Sequence, residues 1–205
     1  MAGSVRATAA ILAAMFLLAA CQPSQPGQPT PTSSPSSPAA TPTPTFMCTP
    51  EAGGEASPCS EAQYDEMKAK DALYEEAEAV YRTFWAENVR ISRAGGVKEP
   101  TEVMLQTSSG QFLDNALEIF RDMASKGLRA RGDDPSIFVA RAPGVTRDGS
   151  EVALVVCIDP RAWAFYRGEE RISEGRTAED RVYLATRDGS LKLVFVEGRW
   201  VKSCG

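Results

Sequence analysis

Between Tyr64 and Phe84 the apolar residues recur at spacings of three, four or their sums. Tyr64, Met67, Tyr74, Ala77, Tyr81 and Phe84 form one face of a helix, and Leu73, Val80 and Trp85 widen it. The pattern predicts one long helix with an aromatic stripe that packs against a sheet. Ser60 with Gln63 forms a capping-box pattern at its start. Gly95-Gly96 ends it. Glu61, Asp65 and Glu66 crowd its beginning and Arg82, Arg90 and Arg93 lie nearer its end, an order that suits the helix dipole.

Beyond Pro100 two shorter helices are predicted. One covers Thr101 to Gln106. The other opens at Ser109 or Gly110, runs through Phe112, Leu113, Ala116, Leu117, Phe120 and Met123, and stops at Gly127. The remainder alternates as strands: a short one at Leu128 to Arg131, then Ser136 to Ala142, Glu151 to Ile158, Asp180 to Arg187, Leu191 to Val196 and Arg199 to Cys204. Asp148-Gly149 and Asp188-Gly189 are hairpin pairs, and Glu197-Gly198 is read as a tight turn. Asp159-Pro160 closes its strand. Arg161 to Glu179 reads as a wide loop carrying Trp163, Phe165 and Tyr166. Helices first and antiparallel strands afterwards give an α+β fold, with a long helix and a helical pair followed by a curved antiparallel sheet.

The pattern before Phe46 is different. Ala9 to Ala20 carry no charged or polar side chain, around Ile11, Leu12, Met15, Phe16, Leu17 and Leu18, with Arg6 just upstream. A bilayer-crossing helix needs about 20 apolar residues, so this run has the length of a signal-peptide core instead. Gln22 to Thr45 is almost entirely Pro, Ser, Thr, Gln, Ala and Gly, with eight prolines. Such a tract buries too little apolar surface to offset ordering entropy. As extended polyproline II it spans up to about 70 Å, and its Ser, Thr and Pro also suit O-glycosylation. The domain reading is therefore a signal peptide at 1–20, a disordered tether at 21–45 and a single α+β domain at 46–205, with 46–59 an irregular lead-in.

Leu18-Ala19-Ala20-Cys21 resembles the lipobox of bacterial lipoproteins: Leu, a small residue, Ala or Gly, then Cys. The resemblance implies that Cys21 receives a diacylglycerol thioether, is acylated (palmitate) and becomes the mature amino terminus. The rival reading is an ordinary secretory signal with a chance cysteine. The order of elements from Ser60 to Gly205 resembles the NTF2-like, cystatin-like roll, in which a bent sheet wraps a long helix and leaves a cone-shaped cavity. Lipoproteins of actinobacteria are similar in more detail. They share the lipobox, the Pro/Thr tether, a Cys-x-Asp strand end (here Cys157-Ile158-Asp159) and a closing Trp strand with a late Cys.

Composition narrows the chemistry. The net charge is −5, and nine acids between Glu51 and Glu78 face only Lys68 and Lys70. No basic patch suggests a nucleic-acid partner. There is no histidine among the 205 residues, which removes Ser-His-Asp and Cys-His catalysis in their usual forms. Cys48, Cys59, Cys157 and Cys204 remain beside Cys21. An even number in an exported chain reads as disulfides, with three connectivities open. A tetrathiolate zinc site ranks below them because no C-x-x-C spacing occurs. Local pairing is the simplest assignment, Cys48 to Cys59 and Cys157 to Cys204.

Asp159 and Tyr183 are the candidates for acid/base work in a cone, with Asp159 read as a strand-end cap. Asp133-Asp134, Glu169-Glu170 and Glu179-Asp180 read as solvated acids, because neighbouring residues of an extended chain point to opposite sides. Arg131-Gly132-Asp133 spells an adhesion tripeptide, to which little weight is given. Trp163, Phe165 and Tyr166 read as a binding rim or a lid over the cone mouth. No residue is assigned as catalytic, cofactor-binding or metal-ligating. The expected function is a non-catalytic ligand-binding or protein-interaction module, lipid-anchored on the extracytoplasmic face of the cell membrane. The expected partners are the membrane, an envelope protein or a small apolar ligand. The alternative is a small NTF2-like isomerase or dehydratase acting on an apolar ligand.

Overall fold

The computed structural model describes residues 45–147 and 149–204. The expected signal segment, Cys21, the expected tether up to residue 44 and Asp148 of the Asp148-Gly149 pair lie outside the described residues.

The long helix α1 spans Glu61–Ala94. Ser60 caps it: its hydroxyl accepts from the Gln63 amide at 3.3 Å, and its own amide donates to Gln63 Oε1 at 2.9 Å. Gly95, at φ 98°, ends it in the left-handed region that favours glycine. Tyr74, Ala77, Tyr81, Phe84 and Ile91 are buried along one stripe. Each large apolar side chain so buried contributes about 1.5–3 kcal/mol. Helices α2 (Glu102–Thr107) and α3 (Gly110–Lys126) follow. Phe112 of α3 meets Phe84 of α1 edge-on at 4.9 Å.

The strands form three antiparallel sheets. The largest orders β4 (Ser136–Arg141), β5 (Val152–Asp159), β8 (Ala178–Arg187) and β9 (Ser190–Trp200) as β4-β5-β8-β9. Its inner row includes Val152, Leu154, Val156, Val182, Leu184 and Leu193, which pack on the α1 stripe. Its outer face carries a smaller cluster of Ala153, Val155, Tyr183, Val194 and Phe195. The second sheet orders β3 (Leu128–Arg131), β6 (Ala164–Arg167) and β7 (Glu170–Glu174) as β3-β6-β7. Ile91, Met104, Leu117, Phe120 and Met123 form a separate core between the helices, against which Leu128 and Phe165 pack. The fold is α+β.

Four expectations need correction. The lead-in at 46–59 is not irregular, since β1 (Phe46–Cys48) pairs with β2 (Ser57–Cys59). Phe46 packs on Tyr64 at 5.4 Å, and Glu51 accepts from the Tyr74 hydroxyl at 2.9 Å, so this hairpin docks on α1. The Arg161 to Glu179 stretch is not a wide loop but contains β6, β7 and the start of β8. Every residue of β7 is exposed, so no alternation marks it in the sequence. Glu197-Gly198 is not a turn, because β9 passes straight through it with Gly198 opposite Asp180. A separate Arg199 to Cys204 strand does not form: β9 ends at Trp200.

Cys48 is bonded to Cys59 and Cys157 to Cys204, with Cα separations of 5.8 and 5.5 Å. The second bond fastens the tail after β9 to β5. Two disulfides fit an oxidising, extracytoplasmic environment. Among the described residues no helix is long and apolar enough to cross a membrane.

Candidate functional site

Where α1, α3 and the inner face of the large sheet meet, they leave a half-open cavity of about 180 Å³. Helix α1 contributes Tyr81, Phe84, Trp85 and Asn88, spaced by three, one and three so that they share a face. Helix α3 contributes Phe112, Asn115, Ala116, Ile119 and Phe120 by the same periodicity. The sheet supplies Asp180 and Val182, which alternate onto one face of β8, and Val196, the cross-strand partner of Val182. Ile119 is 61% exposed and sits on the solvent side of this wall. Trp85 stacks on Tyr81 with ring planes 13° apart and centroids at 6.4 Å.

Asp180 is the polar centre of this apolar wall. Its neighbours on the inner row are Val182 within β8 and Val156 across the ladder. Gly198 faces it on the other side. A Cβ at Gly198 would stand 2.5 Å from Asp180 Oδ1, so the missing side chain makes room for the carboxylate. Among the described residues no hydrogen bond or ion pair reaches this carboxylate. Burial pushes its pKa above the ordinary aspartate range. Tyr81 is 3% exposed, and burial, then the Asp180 charge, push its phenol well above the ordinary tyrosine range. The arrangement can partly surround a small apolar group and offer it one carboxylate, as hydrogen-bond acceptor, counter-charge or proton carrier.

The residues singled out from sequence lie elsewhere. Asp159 ends β5, where Oδ2 pairs with Arg161 at 2.5 Å and Oδ1 is buried without a hydrogen-bond partner. Tyr183 is on the outer face of the sheet, and its hydroxyl donates to Glu197 Oε2 at 3.1 Å. Neither lines the cavity. Trp163 is 6% exposed beneath the Arg93 guanidinium, 5.2 Å from the ring centroid. It is buried just before β6 rather than an exposed rim, while Phe165 and Tyr166 are half-buried on β6. Arg131 is paired with Glu169, and Glu179 is held by Arg199. Glu179-Asp180 is therefore not a pair of solvated acids. Alternation turns Glu179 outward and Asp180 inward. That signal was in the sequence, because Val182 and Leu184 are inward and Asp180 keeps their parity.

Other clefts are larger, and three of them are crossed by ion pairs between their own lining residues. The one between the leading hairpin and α1, about 310 Å³, holds Lys70 with Glu51 and Arg141 with Asp71. Among the described residues no cluster of three or more metal-ligating side chains occurs.

No family model and no curated protein matches the chain. Among solved structures, the intermembrane space region of the chloroplast protein ARC6 is similar at 18% identity, over 62% of this chain and 95% of that one, with a TM-score of 0.42. A similarity of that size does not establish a shared fold.

Proposed function

We propose that this chain is an envelope lipoprotein whose domain is a non-catalytic ligand-binding module of the NTF2-like kind. Cys21 carries the lipid, the Pro/Ser/Thr tract holds the domain away from the extracytoplasmic face of the membrane, and the aromatic cavity around Asp180 takes the ligand. The cavity is the observation that carries this reading. An apolar cavity of roughly 150 Å³ holds benzene, so about 180 Å³ suits a ligand of one small ring or a short branched chain. Pockets of this kind combine apolar walls with a few placed polar groups, here Asp180, Asn88 and Asn115. The two disulfides support the extracytoplasmic location.

Benzene titrated into the full-length protein tests the cavity. The Trp85 indole N–H resonance is expected to shift in a saturable manner, and Ala116→Leu, which fills the space from α3, is expected to abolish the shift. No saturable shift in the wild type contradicts the reading.

The raised pKa of Asp180 beside Tyr81 favours a second reading, a small isomerase or dehydratase with Asp180 as the base. A turnover that falls by several orders of magnitude in Asp180→Asn, with the fold retained, selects it over the binding module.

A further inference from the structure

We infer that the ligand of the aromatic cavity is a small organic cation with an apolar body, a quaternary or alkylated ammonium. This inference rests on the ligand-binding reading above and narrows it.

The charge pattern carries the inference. Four other clefts of the described residues each include two cationic side chains: Lys70 and Arg141, Arg147 and Arg187, Arg181 and Arg199, or Arg82 and Arg90. The aromatic cavity has none, and Asp180 is its one carboxylate. Ionised, that carboxylate has no counter-charge among its neighbours, since Arg181 and Glu179 point to the opposite face of β8. A carboxylate held in that way is completed by a positive ligand.

The walls point the same way. Tyr81, Phe84, Trp85, Phe112 and Phe120 all border the space. Aromatic faces carry negative charge density, and a desolvated ammonium gains from each ring it meets. A site built only for neutral apolar ligands gains nothing from a carboxylate, and an anion would be repelled by it. Volume sets the size. Choline is close to benzene in heavy-atom count, and the cavity of about 180 Å³ exceeds the roughly 150 Å³ that holds benzene. Asn88 and Asn115 can then serve a hydroxyl at the mouth.

Choline and dimethylbutanol, its neutral isostere in which a quaternary carbon replaces the nitrogen, separate charge from shape. Each is titrated calorimetrically into the full-length protein, with the Trp85 indole resonance locating the site. Choline is expected to bind roughly tenfold or more tightly than dimethylbutanol. Asp180→Asn, checked for fold by circular dichroism, is expected to cut that preference severalfold, the part supplied by the rings remaining. If the isostere binds as tightly as choline, the cation inference falls and the ligand-binding reading stands. If choline binds but neither Trp85 nor Asp180→Asn responds, the site lies elsewhere and the inference falls. If neither compound, nor benzene, binds, both fall together.

Discussion

Asp180 and Gly198 face each other across the β8–β9 ladder, and the absence of a side chain at Gly198 leaves the Asp180 carboxylate its place. A cavity acid and a strand glycine are thus one feature. Gly198 is not at positive φ, so alanine fits its backbone and the conflict is with the carboxylate alone. Gly198→Ala is therefore predicted to keep the fold, change stability by about 1 kcal/mol or less, and weaken ligand binding at least about tenfold as Asp180 swings aside. Calorimetric titration beside a urea melt reads both. A variant that binds like the wild type would disconnect the glycine from the site.

Removing the Asp180 charge has a defined pH signature. Its pKa is raised in the folded protein, so the folded state holds the proton more tightly than the unfolded state. The half-buried charge therefore costs stability above the folded pKa, and the cost disappears as pH falls through that value towards the ordinary aspartate range. Asp180→Asn is predicted to raise Tm at pH 7 by about 2–4 °C, the shift that about 1 kcal/mol gives in a domain of this size. The gain should shrink as the pH is lowered towards 4. A variant less stable than the wild type at pH 7 would show that the carboxylate has a partner.

The bond between Cys157 and Cys204 closes a separation of 47 residues. In the chain-entropy model such a closure contributes about 4 kcal/mol, a large share of the roughly 5–15 kcal/mol typical of a domain. Cys204→Ser is predicted to lower the urea midpoint accordingly and to expose the tail after Trp200 to proteases. Loss of less than about 1 kcal/mol would show that the tail docks without the bond.

The proposed anchor is tested at Cys21, which lies outside the described residues. Two or more acyl chains hold a protein stably on a membrane, at about 0.8 kcal/mol per buried CH₂. Cys21→Ala is predicted to move the protein to the soluble export fraction or to stall its processing. Unchanged membrane association would place the anchor elsewhere.

Much of the architecture was legible because it follows from periodicity. The stripe from Tyr74 to Phe84, the Ser60 cap and the Gly95 stop are local signals, and they coincide with α1. Asp188-Gly189 forms its two-residue turn with both residues at positive φ. What sequence hid was long-range. Gly198 looks like a turn residue until its partner across the ladder is known. β7 has no buried face to betray it. Trp163 lies between Ala162 and Ala164 in a stretch rich in charge, yet it is covered by Arg93 from the far end of α1. The site was half legible. Alternation placed Asp180 with Val182, but only the packing of α3 over α1 makes that face the floor of a cavity.

The central claim is that the cavity around Asp180 exists to hold a ligand. Native mass spectrometry of the protein purified from its own membranes tests it most directly, with Ala116→Leu as the filled-cavity control. The account predicts a small-molecule adduct on the wild type that is absent from Ala116→Leu. An empty wild type, or the same adduct on both proteins, would contradict it.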